Sequence, residues 1–274
     1  MDAKQLLAGQ LEFFLSGGTR SPAFRRESLL RLRRVLTDNQ EAFIEALASD
    51  LGKPRMEAVT AELGFCVQEI DTTIPQLGRV FQNSRRGTPF LLWPGRSYAT
   101  REPYGPTLIL GPWNYPLNLT LVPVIGALAA GNTVVLKPSE LAPHTADVLA
   151  KTLNAAFGPQ VLRVVTGGPD TAKELLDLDF RFVFFTGSSA VGRKIAASLA
   201  PRLIPCILEL GGKNPCVVEP GLPLRLVAQR IAFGKFYNAG QTCVAPDSVL
   251  VHSSLFAELT DELKRVIGDF FGAD

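Results

Sequence analysis

The sequence predicts an α/β chain: a doubly wound parallel sheet followed by the beginning of a second α/β domain. Three observations predict it. Between residues 107 and 210, five apolar runs (TLIL, TVVL, VLRVV, FRFVFF and IPCILEL) are separated by stretches of helical spacing. Runs this short and this rich in Val, Ile, Leu and Phe suit strands covered on both faces. Helices between successive strands are the crossovers that a parallel sheet requires, and such crossovers are right-handed. The chain has 274 residues, 46% of them hydrophobic and 20% charged, which is enough to bury a sizeable core.

The elements can be justified in order. The first 80 residues read as helices: Leu29, Leu32 and Val35–Leu36 share one face, as do Phe43, Leu47 and Leu51. Gly52 and Pro54 stop the second of these helices. In residues 82–101, Pro94-Gly95 reads as a turn between two short strands. TLIL (107–110) begins the alternation, and Leu117–Ala130 is helical. TVVL (133–136) precedes a helix over His144–Phe157 with Val148, Leu149, Leu153 and Phe157 as its apolar set. VLRVV (161–165), a short helix over Thr171–Leu176, FRFVFF (180–185), a helix over Ser188–Leu199 and IPCILEL (204–210) complete the series. The final ELKRVIGDFFGAD reads as a helix.

Composition excludes several classes. Lys and Arg number 28 against 26 Asp and Glu, so nothing in the charge points to nucleic acid or a membrane surface. The clusters Arg25-Arg26, Arg31–Arg34 and Arg85-Arg86 are short enough to be solvated faces. Residues 103–136 carry no charge, but Pro112, Pro116, Pro123 and Asn132 interrupt them. A bilayer needs about 20 apolar residues in a row, so Leu119–Gly131 reads as a buried core helix. Two histidines and four cysteines without CxxC spacing form no metal pattern, and the expectation is no metal. The cysteine usage fits a reducing compartment, and no signal peptide opens the chain, so a cytoplasmic location is expected.

Candidate chemistry lies in five places. Phe184–Gly192 (FFTGSSAVG) is a strand, a glycine turn and a helix start. Backbone N–H groups and the helix dipole there favour a pyrophosphate, with Gly187 allowing close approach and Gly192 allowing helix and sheet to pack. The spacing is neither GxGxxG nor a Walker A loop, so a plain strand-to-helix turn is the alternative. Lys137 ends a strand and, with Glu140, can donate to and accept from ribose hydroxyls; a solvent-exposed Lys is the alternative. Glu209 is followed by Gly211-Gly212, which leaves room for a water or a cofactor ring and suits a general base; a surface Glu is the alternative. Asn114, in GPWNYP, can donate to an oxyanion or can be a turn Asn. Cys243 lies among small, turn-forming residues (NAGQTCVAP), as a reactive thiol does. Cys66, Cys206 and Cys216 lie in apolar runs and read as buried small hydrophobes.

Together, GPWNYP, VLKPSE, FTGSSAVG, LELGGKNP and GQTC occur in the order and spacing of the aldehyde dehydrogenase superfamily. The details GPWNYPL, VLKPSELAPHTA and NAGQTCVAPD most resemble its class 3 branch of fatty and aromatic aldehyde dehydrogenases. The resemblance covers essentially the whole chain. It implies a Rossmann-like cofactor domain and NAD or NADP as cofactor. Cys243 is then the catalytic thiol, Asn114 with the Cys243 N–H the oxyanion donor and Glu209 the general base. Lys137 and Glu140 meet the adenosine ribose, and Gly187, Ser188 and Gly192 line the pyrophosphate turn. Trp113 flanks the cofactor cleft, and Gly211 and Lys213 lie near the nicotinamide.

The implied organisation is N-terminal helices of the cofactor domain (1–81), a bridging or oligomerisation hairpin (82–101), a dinucleotide-binding domain (102–210) and the start of a catalytic domain (211–274). Family members run well beyond residue 274, so a fragment is expected. The alternative to an aldehyde-oxidising enzyme is a non-catalytic fragment that binds nucleotide or a partner chain. The implied partners are a small aldehyde and, at full length, a second copy in a homodimer; membrane association is not readable.

Overall fold

The structure, a computed structural model, describes residues 2–80 and 82–272. The expected domain boundary at residue 81 falls outside the described residues. The chain forms two compact units, Met1–Glu209 and Leu210–Asp274.

In the first unit a helical layer comes first: α1 (Ala3–Leu15), α2 (Pro22–Asp38), α3 (Gln40–Leu51), a short α4 (Arg55–Glu57) that passes through a π-turn (Ala58–Leu63) into α5 (Gly64–Thr73), and α6 (Leu77–Val80). Gly52 adopts the left-handed conformation that ends α3, and its N–H donates to Ala48. Leu29, Leu32, Phe43 and Leu47 are fully buried on the predicted faces. One basic cluster departs from expectation. Arg25 is buried rather than solvated, because its Nε donates to the Thr19 carbonyl at 2.9 Å. The strands β1 (Ser84–Arg86) and β2 (Ser97–Ala99) pair antiparallel on either side of Pro94-Gly95.

The sheet follows: β3 (Pro106–Leu110), α7 (Asn118–Ala130), β4 (Thr133–Lys137), α8 (Pro143–Ala156), β5 (Leu162–Val164), α9 (Pro169–Leu176), β6 (Phe182–Gly187), α10 (Ser189–Leu199) and β7 (Cys206–Leu210). The order is β5-β4-β3-β6-β7, with β3–β4, β4–β5 and β3–β6 parallel. The chain therefore winds outward from β3 in one direction, returns, and winds outward from β6 in the other. This is the doubly wound sheet that the spacing predicts, and the reversal between β3 and β6 opens a crevice at the strands' carboxyl ends. Every residue of β3 and β4 is buried, as strands covered on both faces must be. Ile109, Leu136, Leu121, Ile125 and Leu149 join Leu29, Leu32 and Phe43 in one core.

The second unit contains elements that periodicity did not reveal: β8 (Asn214–Val218), α11 (Leu224–Phe236) and β9 (Pro246–Val251). β8 and β9 pair parallel, with α11 as the crossover. The predicted terminal helix is α12 (Phe256–Phe271). Val218, Leu224, Ala228, Ile231, Leu259 and Val266 form this unit's own core. Among the described residues no helix is long and apolar enough to cross a membrane.

Candidate active site

The predicted site residues fall into two sets, one in each unit. In the first unit they line the carboxyl edge of the sheet. The Gly111 N–H donates to the Lys137 carbonyl at 2.9 Å, which ties the end of β3 to the end of β4. A β-carbon on Gly111 would fall 2.2 Å from Thr120 Oγ1, so glycine is required for the loop to leave β3 where it does. Asn114 is half-buried and Trp113 is exposed. Lys137 is not the exposed strand-end lysine of the alternative reading. It is 4% exposed, and its Nζ donates to Pro138 O at 3.1 Å and Glu140 Oε2 at 2.9 Å. Burial raises the Glu140 carboxyl, but the Lys137 hydrogen bond and charge, with a backbone N–H, outweigh it and hold Glu140 below the usual carboxylate range.

Four helices begin at this edge (α7, α8, α9 and α10), and they are capped differently. The α7 N-terminus is capped by Glu62 Oε2, which accepts from the N–H groups of Leu117 (3.2 Å) and Asn118 (2.7 Å). The α8 N-terminus is capped by Asp50, which accepts from His144 N, Thr145 N and Thr145 Oγ1 at 2.7–3.0 Å. In α10 only its own Ser188 caps, accepting from Val191 N at 3.3 Å, and its first turn holds no acidic residue. The α9 N-terminus carries Asp170 in its first turn, so among the four helix dipoles that of α10, at the β3–β6 reversal, meets no carboxylate in its first turn and can take an external anion. Lys137 as donor, Glu140 as acceptor and the α10 N-terminus form a donor set that fits a dinucleotide. At Gly187 a β-carbon would lie 2.4 Å from the Phe185 ring, so glycine also makes room for that ring. Gly192 is buried. Glu209 is an exposed residue of β7.

In the second unit, Cys243 is exposed in a turn closed by the Ala245 N–H to the Thr242 carbonyl at 3.1 Å. The approach to this turn is strained. Asn238 and Ala239 both take φ 54°, and Gly240 takes φ 77°. Buried Asn238 holds this left-handed run, with its Nδ2 donating to Gln241 O at 3.3 Å while Gln241 Nε2 donates back to Asn238 O at 3.1 Å. The Cys243 carbonyl accepts from Asn214 Nδ2 at 2.6 Å, and the same amide reaches Ala245 O at 3.2 Å. A β-carbon on Gly212 would stand 2.6 Å from that Cys243 oxygen, whereas one on Gly211 would meet nothing within 4 Å. Sequence reading gave Gly212 a role only as space beside Glu209 and missed Asn214, whose partner Cys243 lies 29 residues away. Lys213 is an exposed lysine whose Nζ lies 3.3 Å from Asp247. Cys66 is buried as expected, but Cys206 and Cys216 are only half-buried, because each lies on a strand with one face open. Among the described residues no group of three His, Cys, Asp or Glu side chains is placed to hold a metal.

A family model described as the aldehyde dehydrogenase family matches residues 12–269. The chain belongs to the aldehyde dehydrogenase family. Among its relatives is the 4,4'-diapolycopene-4,4'-dial dehydrogenase of Cytobacillus firmus, 42% identical over 98% of this chain and 59% of that protein. Another is the dimeric NADP-preferring aldehyde dehydrogenase of Rattus norvegicus, 42% identical over 96% of this chain and 58% of that one. The substrate-bound structure of Staphylococcus aureus AldH superposes on the whole chain with a TM-score of 0.96 at 38% identity, and 60% of it is covered. A Mycobacterium tuberculosis aldehyde dehydrogenase in complex with NAD+ gives a TM-score of 0.87 at 29% identity. The chain thus spans somewhat over half the length of the aldehyde dehydrogenases it matches.

Proposed function

We propose that the protein oxidises an aldehyde to a carboxylic acid with NAD or NADP, through a thiohemiacetal and a thioester on Cys243. The observation that carries this reading is the exposed Cys243, held in a strained turn by Asn214 and Gly212, in a chain of the aldehyde dehydrogenase family. The Cys243 thiolate attacks the aldehyde carbon, and the carbonyl electron pair moves onto oxygen. That oxyanion accepts hydrogen bonds from the Asn114 side-chain amide and the Cys243 N–H, which stabilise the charge as it develops. Bound dinucleotide supplies the acceptor for the hydride that leaves as the carbon becomes a thioester. Glu209 takes a proton from a water, whose oxygen adds to the thioester carbon, and Cys243 departs as thiolate. Lys137, Glu140 and the α10 N-terminus at Ser188 orient the dinucleotide, with Gly187, Gly192, Trp113 and Gly211 bordering it.

The aldehyde is expected to be a medium- or long-chain aliphatic or an aromatic one. A homodimer is proposed, in line with the word dimeric in the rat relative's name. An ionised Glu140 beside the ribose disfavours a 2′-phosphate and so favours NAD over NADP. The share of its relatives that the chain spans favours a second reading, in which these 274 residues bind dinucleotide without turnover.

The experiment is reduced-cofactor formation by the purified chain with octanal and benzaldehyde, with Cys243→Ala alongside. Turnover that disappears in Cys243→Ala supports the thiol mechanism. Turnover retained in that variant would overturn it, and dinucleotide binding without turnover would select the second reading.

A further inference from the structure

The loop that carries Asn114 rests on an ion pair that the reaction itself does not use. Lys53 and Glu62 are both buried, their side chains 1% and 0% exposed, with Nζ and Oε1 2.5 Å apart. Glu62 lies within the π-turn Ala58–Leu63, where the Gly64 N–H reaches back to the Val59 carbonyl. A π-turn holds one more residue than an α-turn, and such turns recur at functional sites. The pair's remaining contacts converge on one stretch. Glu62 Oε2 holds the N–H groups of Leu117 and Asn118, and Asn118 Nδ2 donates to the Ala61 carbonyl at 2.8 Å. Lys53 Nζ lies 3.5 Å from the Asn114 carbonyl and 4.3 Å from the centre of the Tyr115 ring.

Burying two charges is a costly way to stabilise a fold, since apolar residues of like volume do as well or better. Burial pushes the Glu62 carboxyl above the usual carboxylate range, and Lys53 with the two N–H groups pulls it back only in part. What an ion pair adds over an apolar pair is a fixed geometry, and here every partner lies between residues 114 and 118.

We propose that Lys53 and Glu62 are positioning residues: their buried ion pair fixes the backbone at Asn114 and thereby aims its side-chain amide. This rests on the reading of Asn114 as oxyanion donor. Because the oxyanion exists only in the reaction's intermediate and transition states, a loosened Asn114 lowers kcat and spares aldehyde KM.

The test uses the apolar double variant Lys53→Met/Glu62→Leu, which leaves no lone buried charge, in wild-type and Asn114→Ala backgrounds of the full chain. Three quantities are read: thermal midpoint, amide exchange over residues 111–115, and turnover. The expected result is a folded protein with a lowered thermal midpoint, because Glu62→Leu leaves the Leu117 and Asn118 N–H groups without their acceptor, and faster exchange at 111–115, whose N–H groups do not bond Glu62. With it comes a fall in kcat of about ten- to a hundredfold, aldehyde KM within about twofold, and no further loss when Asn114→Ala is already present. Unchanged exchange at 111–115 would overturn the proposal without any need for turnover. A loss of the same size in the Asn114→Ala background would overturn it too, because the pair would then act elsewhere. Should Asn114→Ala alone leave turnover unchanged, the oxyanion reading falls and takes this assignment with it, whereas the exchange result separately reports whether the clamp exists.

Discussion

The carbonyl oxygen of Cys243 lies 2.6 Å from the point where a β-carbon on Gly212 would stand. That oxygen is backbone and is already held by Asn214 Nδ2, so it cannot step aside as the tip of a flexible side chain could. Gly212→Ala is therefore expected to displace the nucleophile turn. The displacement is local, since Gly212 lies outside the second unit's core. A misplacement of about 1 Å costs about a hundredfold in rate. The expected outcome is turnover lower by about that factor with a nearly unchanged thermal midpoint. Gly211→Ala, where nothing lies within 4 Å of the new carbon, is the matched control. Equal effects of the two substitutions would contradict this account.

Cysteine labelling separates the four thiols by burial. Cys243 is exposed, Cys206 and Cys216 are half-buried, and Cys66 is buried. Burial, with the charges of Glu62 and Glu69 added, pushes the Cys66 thiol far above its usual range. Since the thiolate is the reactive form, iodoacetamide at pH 8 is expected to label Cys243 first, Cys206 and Cys216 more slowly, and Cys66 only after unfolding. Mass spectrometry of timed quenches reads the order. Labelling of Cys66 in the native protein at the rate of Cys243 would contradict it.

These two cases also mark what was legible in the sequence. Strands such as TLIL and TVVL are covered on both faces, so their apolar runs announce them, and Lys137 was visible as the polar residue ending one. Cys243 stood out because its neighbours are small. β8 and β9 were not visible: apart from Val218 their residues are half-buried or exposed, and Pro215 and Pro246 argue locally against strands. Asn214 and Gly212 gain their roles only from a carbonyl about thirty residues on, which no local pattern encodes. Glu62 is the extreme case. Nothing in the string TAELG signals burial, and only the π-turn and the partners Lys53, Leu117 and Asn118 account for it.

Gly131 ends α7 at φ 85°, and a β-carbon there would lie 2.6–2.8 Å from the guanidinium of buried Arg25. The left-handed backbone alone costs a non-glycine residue about 1–2 kcal/mol. The Arg25 side chain has no solvent to retreat into, and its bond to Thr19 would be disturbed. Gly131→Ala is expected to lower stability by at least about 1 kcal/mol, seen as a lower denaturant midpoint with an unchanged slope. Gly126→Ala, within the same helix and with open space around it, is expected to be neutral or stabilising.

Lys137 and Glu140 give a prediction in pH. The Glu140 carboxyl, ordinarily at 4.5, is raised by burial but lowered further by the Lys137 hydrogen bond, a backbone bond and the Lys137 charge, so the net shift is downward. A depressed carboxyl contributes stability that is present above its unfolded value and is lost as pH falls through its folded value. The pair should therefore persist throughout the neutral and mildly acidic range and open only below 4.5. Removing the ammonium leaves burial as the larger remaining influence. In Lys137→Met the side-chain carbon resonance of Glu140 is accordingly expected to titrate at higher pH than in the wild type. The same variant tests the cofactor reading. Loss of one hydrogen bond from a charged donor weakens NAD binding by about tenfold or more, measurable by calorimetry while the fold, read by circular dichroism, stays intact. Unaltered NAD affinity in a folded Lys137→Met protein would remove Lys137 from the dinucleotide site.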